Sequence, residues 1–327
     1  MQDLIQQLLT DSPFYQGAAI LLVAIVMALL APLPREYQAF YWFSHLAKSL
    51  SAKVARSDRD AGQQRLAGSL SILLLVVPFW LILSFLLELA AFPWFFECVF
   101  LYLCLCDEQF HKVAEETAQA LSRQDKQQAR QLLSHWVYRD TRELSEVGLC
   151  KTVIEKLLTT SIYGTVATIL FFAIGGAPLV LGARMIKQLE YTWPALNPEY
   201  REFGRPAYLL SSLIYWLPTQ AWNFTLAIQG GPGALMQLLR PPKSPQPVNN
   251  YLPTCALAAK VLNTELGGPQ KFAGHKVVLM RIGTGPKPTL HTISAALKLA
   301  RLSKGIWILS LLLLPCLWAI LRLLAHA

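Results

Sequence analysis

From Leu66 to Cys106 the chain runs almost without a charge, and this stretch excludes most soluble folds. About 40 residues of continuous helix would extend to about 60 Å, twice the ~30 Å hydrocarbon thickness of a bilayer. One crossing cannot use it. Pro93 lies within it, and a proline removes a backbone donor and ends a helix. The stretch therefore reads as two passes, 68–89 and 93–106, with a turn near 90–94 and both outer ends on one side. Composition agrees. Of 327 residues, 54% are hydrophobic and 15% charged, whereas soluble domains carry about 25% charge. The mean hydropathy is +0.38.

Further spans follow from the other apolar runs. The first, 17–33, reads "GAAILLVAIVMALLAPL" and is preceded by Asp3 and Asp11 rather than by a basic segment. It is expected to be a retained span, not a signal peptide. Loop 34–67 carries Arg35, Lys48, Lys53, Arg56, Arg59 and Arg65, which puts it on the cytoplasmic side. The run 164–182 is barely long enough to cross, and "GGAP" at 175–178 interrupts it. It either spans or re-enters, because irregular backbone is tolerated at that depth where it lines a protein cavity. Residues 208–228, with Pro218, and 305–325 complete the set.

Two polar excursions separate these spans, 107–158 and 229–304. The first predicts two amphipathic helices over 107–134, broken near 122–125, with Asp125 capping the second. The second holds ten Lys/Arg against one acid, Glu265, and belongs in the cytoplasm by the charge rule. Its dense Gly and Pro predict ordered loop with little repeating structure. The expected fold is a single all-α polytopic membrane domain over 1–327. It is a helical bundle with cytoplasmic amphipathic helices and a Gly/Pro-rich cytoplasmic excursion.

Several functions are disfavoured. A net charge of +9 comes without a nucleic-acid-binding signature, so no nucleic acid is expected as partner. The six cysteines form no C-x-x-C and read as small buried hydrophobes rather than zinc ligands. His45, His111 and His135 fall in polar excursions and are expected at the surface. There is no Walker A loop, G-x-S-x-G or H-E-x-x-H.

Two stretches carry chemistry. One is Arg139-Asp140-Thr141, within "VYRDT" (137–141). The other is "LGGPQKFAG" (266–274) followed by "IGTGPKP" (282–288). Backbone N–H groups of Gly-rich turns can cradle phosphate, with Lys271, Lys276 and Lys287 nearby to add charge. Taken singly, each also reads as structure, a turn in one case and a helix cap with a surface ion pair in the other.

Their joint order is more specific. With Glu155, Gly164, Ala167, "GGAP", "YREFG" (200–204), "YWLP" (215–218), Asn249 and Pro253, they resemble the CobD/CbiB family over roughly residues 100–300. The members of that family are membrane adenosylcobinamide-phosphate synthases of cobalamin biosynthesis. The resemblance implies an ATP-dependent acid–amine ligase that attaches aminopropanol, or its phosphate, to cobyric acid. ATP and Mg²⁺ would be its cofactors. It would sit in the bacterial inner membrane, alongside other late cobalamin-pathway membrane enzymes. Asp140, Glu155 and Glu190 would then be catalytic, with Asp140 and Glu155 as Mg²⁺ ligands. Arg139, Thr141, Lys187, Asn249, Gly267 and Gly268 would bind substrate.

The chain also departs from the family pattern. Thr159-Thr160-Ser161-Ile162-Tyr163 stands where the family has Glu-Asn-x-Ser-Asp. Lys187-Gln188-Leu189-Glu190 replaces Asn-Thr-Leu-Asp, and Leu209-Leu210-Ser211-Ser212 replaces Arg-Leu-Asp-Asp. Tyr215, Gln220 and Thr284 replace an Asn, an Arg and an Asp. These losses remove oxygen ligands that Mg²⁺ needs. They keep a second reading open, a membrane sensor or regulator comparable to the beta-lactamase regulator AmpE, or a corrinoid-binding assembly protein.

Overall fold

Helix breakers and apolar runs together set the element boundaries of the computed structural model, which describes residues 13–33, 39–56, 58–105 and 107–325. Asp3, Asp11, Arg35 and Cys106, used above, lie outside these. Helix α1 is Pro13–Leu30 and α2 is Ala39–Val54. Asp60 caps α3, Ala61–Leu89, by accepting from the Gln63 amide at 2.6 Å. Pro93 opens α4, Pro93–Cys104, at a first-turn position where its missing N–H costs nothing. The turn at 90–92 is the one the sequence predicts. At 12 residues, however, α4 reaches only about 18 Å, less than the ~30 Å hydrocarbon core.

The amphipathic region forms α5, Asp107–Ser122, and α6, Lys126–Ser134. Asp125 caps α6 from the Gln128 amide at 2.8 Å. Next comes the central rod. Helix α7, Glu146–Ser161, passes through a π turn, Ile162–Val166, into α8, Ala167–Thr192. Excursion 107–158 therefore ends inside a helix. α7 packs on α5, and α8 packs on α2, α3 and α4.

Within the rod, Gly175 and Gly176 leave helical geometry. Gly176 has φ 67° and ψ −169°, a region that only glycine occupies at low cost. The "GGAP" interruption is thus a kink inside one long helix. The Pro178 carbonyl after it accepts from Trp80 Nε1 on α3 at 2.8 Å. Gly176→Ala is expected to lose about 1–3 kcal/mol, read as a lowered thermal midpoint in detergent.

The run 208–228 is divided. Helix α9, Arg205–Ile214, and α10, Trp216–Gln229, meet at Tyr215, which is off-helix. At about 15 and 21 Å, neither crosses a bilayer alone. The excursion 229–304 holds more structure than its composition suggests. Helix α11 is Gly231–Leu239 and α12 is Tyr251–Val261, and both pack on α10. The Ala-rich α12 also packs on α7 and buries Leu252 and Thr254 through Ala259, except Lys260 beyond them. The last helix, α13, starts at Leu290 and runs to Ala325.

Between α12 and α13 lie two nested antiparallel pairs. β1 (Leu266–Gly267) pairs with β4 (Arg281–Ile282), and inside them β2 (Gln270–Phe272) pairs with β3 (His275–Val277). Ala273 and Gly274 turn the inner hairpin, both with positive φ, as a two-residue hairpin turn requires.

Among the described residues, three helical stretches are long and apolar enough to cross a membrane: α3, the α7–α8 rod and α13. Leu70, Leu73, Leu74, Ile82 and Phe85 of α3, and Leu309, Leu312 and Leu317 of α13, are exposed. An apolar surface of that extent suits lipid rather than water. The molecule is an all-α membrane protein.

One polar knot sits where α5, the π turn and α13 meet. Lys304 Nζ is 3.1 Å from Asp107 Oδ2 and also pairs with Glu108. Thr165 Oγ1 donates to Asp107 Oδ2 at 2.7 Å. Gly164 lies against the Asp107 carboxylate, where a Cβ would come within 2.6 Å of Oδ1. Burial acts to raise the Asp107 pKa, but Lys304 and Thr165 outweigh it and hold the carboxyl below its usual range. His111, expected at the surface, is 6% exposed beside it, because α5 turns this face towards α7 and α13. Burial pushes its imidazole pKa down. His45 and His135 are exposed as expected. Among the described residues four cysteines are buried, and Cys316 is exposed on α13.

Candidate functional site

The rod, the 136–139 turn, loop 194–196, segment 247–251 and the inner hairpin enclose a cleft of about 170 Å³. Its walls include Arg139, Lys156, Lys187, Glu190 and Gln270, with Tyr138, Tyr163, Tyr191, Tyr208 and Tyr251 between them.

Arg139 is held from several sides. The guanidinium Nη2 donates to Glu155 Oε2 at 2.5 Å, with the two side chains 12% and 0% exposed. The other carboxylate oxygen accepts from the Gly267 amide at 2.7 Å. With its amide oriented oxygen-first, Gln270 accepts from both Arg139 Nη atoms at 3.3 Å. Tyr251 Oη lies 3.5 Å from Nη2. Burial acts against the charged guanidinium, but Glu155 and Tyr251 outweigh it and keep Arg139 protonated beyond its ordinary range. Lys151, one helical turn before Glu155, pairs with Glu265 at 2.5 Å and donates to the Gly267 carbonyl at 3.2 Å. Two residues at i, i+4 on α7 thus grip both sides of one glycine.

Gly267 and Gly268 have φ of 64° and 98°. A Cβ at Gly267 would come within 2.4 Å of the Met280 carbonyl. The expected phosphate cradle is occupied from within, since Gly267 N–H serves Glu155 and Gly268 N–H donates to the Met280 carbonyl at 3.1 Å.

Asp140 faces the hairpin rather than the cleft lining. Its amide donates to the Lys271 carbonyl at 2.7 Å, and its Oδ2 accepts from the Gly274 amide at 2.8 Å. Thr141 is buried at 4% exposure. Arg139-Asp140-Thr141 therefore divides its tasks, with the arginine lining the cleft and the aspartate clasping the hairpin turn.

Lys187 and Glu190 form the opposite wall. Lys187 Nζ is 2.6 Å from Glu190 Oε2. It also lies over three rings, at 3.7 Å from the Tyr163 centroid, 4.8 Å from Tyr191 and 5.9 Å from Tyr215. Lys156 Nζ also lies over Tyr191, 4.6 Å from its ring centroid, and Tyr138 stacks on Tyr191 at 5.3 Å. These tyrosines carried no role in the sequence reading. Tyr163 and Tyr215 stand at positions where the family pattern is polar, which is the one signal that could have marked them.

Asn249 lies outside this cleft, in two adjoining grooves. Its amide donates to Tyr208 Oη at 3.0 Å, and its side chain is exposed. The first groove, about 470 Å³, includes Arg201, Arg205 and Lys276 and shares Ala195, Leu196, Tyr208 and Pro247 with the cleft. The second, about 580 Å³, includes Leu213 and Trp216 and shares Leu209, Ser244 and Asn249 with the first. The three depressions thus adjoin one another through shared walls.

The donor set does not fit Mg²⁺. Both Glu155 oxygens are engaged, Glu190 is paired with Lys187, and Asp140 serves Gly274. Among the described residues no three His, Cys, Asp or Glu converge on a point, whereas Mg²⁺ needs oxygen ligands in near-octahedral array.

The model of the CobD/CbiB protein family matches residues 21–300. The chain is 28% identical to cobalamin biosynthesis protein CobD of Chromobacterium violaceum, over 94% of this chain and 96% of that one. It is 30% identical to CobD of Stutzerimonas stutzeri, over 73% and 79%. To cobalamin biosynthesis protein CbiB of Salmonella typhimurium it is 25% identical, over 85% and 89%. No solved structure matches.

Proposed function

The chain belongs to the CobD/CbiB family, and on that premise we propose that it is a cobalamin-biosynthesis ligase joining aminopropanol, or its phosphate, to a carboxylate of cobyric acid. One observation carries this reading: landmarks far apart in sequence meet around a single cleft. Arg139 and Gln270 line it, and behind them Glu155 and the Gly267 turn, 112 positions apart, complete one hydrogen-bonded unit with Arg139.

An amide forms only if a carboxylate oxygen can leave. Phosphorylation by ATP makes an acyl phosphate and ADP. The amine lone pair then attacks the carbonyl carbon, phosphate departs and the nitrogen loses a proton. No step here is routed through a metal. An arginine held rigid by a buried carboxylate is suited to orient a substrate carboxylate or phosphate, and Lys156 adds charge. The cleft is too small for a macrocycle. One corrin arm would enter it while the ring lies in the adjoining groove, where Asn249 can hydrogen-bond a corrin amide. The basic excess of 229–304 favours a cytoplasmic cleft in the bacterial inner membrane, the side that supplies ATP.

The test is to incubate detergent-purified protein with adenosylcobyric acid, aminopropanol phosphate, ATP and Mg²⁺, and to follow product mass. The wild type is expected to yield the amide and Arg139→Ala to yield little. No wild-type product, beside an active known synthase, would overturn the reading. The lack of converging carboxylates among the described residues favours a second reading, a corrinoid-binding sensor or assembly protein without ligase chemistry. It would show a corrinoid spectral titration with no product.

A further inference from the structure

Lys187 is 4% exposed, yet it lies on the wall of a cleft. Burying an ammonium is costly, and a hydrophobic residue of similar length would fill the same space without that cost. What surrounds it has the form of a ligand site. Three tyrosine rings, Tyr163, Tyr191 and Tyr215, lie within 3.7–5.9 Å of Nζ, and the Glu190 carboxylate takes a proton donor at 2.6 Å. Aromatic faces plus a carboxylate are the standard means of recognising an organic ammonium. Tyr163, Tyr191 and Glu190 also line the cleft, so the cage opens onto a route of entry.

We propose that this cage is a binding site for a small primary alkylammonium, and that the Lys187 side chain occupies it as an internal stand-in. Size supports this. Beyond Cβ, a lysine side chain is three carbons and an ammonium, the skeleton of a three-carbon primary amine. An external amine must displace Lys187 to reach Glu190, so the wild-type protein binds such amines weakly. The proposal deepens the ligation reading, resting on it for the identity of the amine, while the cage stands on its own geometry.

The test needs neither corrinoid nor ATP. Lys187→Ala and Lys187→Asn, purified in detergent, are titrated at neutral pH with 1-amino-2-propanol, n-propylamine and n-propanol, with thermal midpoint and calorimetry as readouts. Asparagine keeps a polar group beside Glu190 where alanine leaves the carboxylate alone, so one variant can report if the other fails to fold. Both amines are expected to raise the midpoint saturably and to bind about tenfold or more tighter than to the wild type. n-Propanol is expected to do neither, and adding Glu190→Gln should abolish the gain. A folded variant that binds no amine, or that responds equally to n-propanol, would overturn the site. Failure of the ligation reading gives a different result, amine binding without corrinoid product.

Discussion

Glu155→Ala is expected to remove about 3–5 kcal/mol of stability and to loosen the nested hairpin at 266–282. The carboxylate is fully buried and both its oxygens are used, one by Arg139 at 2.5 Å and one by the Gly267 amide at 2.7 Å. Its removal leaves a guanidinium only 12% exposed without its counter-ion and strands a backbone donor. Breaking one side of such a pair costs far more than replacing both sides, because the remaining charge stays desolvated. Arg139→Met with Glu155→Leu should therefore lose less than Glu155→Ala alone. Glu155→Gln should fall between, since its oxygen can still accept from Gly267. Thermal unfolding in detergent orders the three variants, and limited proteolysis at Ala273-Gly274 reports the hairpin. If Glu155→Ala lay within about 0.5 kcal/mol of the wild type, the pair would have no structural role.

Lys304→Ala is expected to have an effect of similar size, about 3–5 kcal/mol at neutral pH, by a route that depends on acidity. In the wild type Lys304 and Thr165 hold Asp107 below its ordinary value of 3.8, against the effect of burial. That carboxylate therefore adds stability above 3.8, lost only as pH falls through its lower folded value. Without Lys304, burial dominates and the folded pKa rises above the unfolded one. The variant then loses stability as pH climbs between those two values. Lys304 also depresses the buried His111 imidazole, so its removal eases charging of His111 in acid. Both effects have the same sign. The penalty should be largest near neutral pH and shrink towards pH 4–5. A penalty independent of pH would show that Lys304 contributes only packing.

The class of the molecule was legible because it rests on local quantities. Apolar runs, Pro93, the "GGAP" glycines and the Asp125 cap each act within a few residues, and the helices follow them. The run 208–228 is divided because a fresh helix begins at Trp216, after the off-helix Tyr215, with Pro218 in its first turn. The Gly/Pro-rich excursion concealed α12, whose burial comes from α7 and α10 rather than from its own pattern.

By itself the sequence determined a helical membrane protein, its main breaks and its family, since hydropathy, proline and glycine geometry and motif order are properties of the chain alone. Only the tertiary structure decided what each charge does. In sequence the family resemblance marks Glu155, Lys187 and Asp140 as site candidates, but nothing local says what each one touches. Their roles, as a buried clamp on Gly267, the occupant of a tyrosine cage and a clasp on the Gly274 turn, arise from neighbours brought from distant segments. The energy of a charge is set by how far it is desolvated and by what lies within a few ångströms of it, and both are fixed only when the chain has packed.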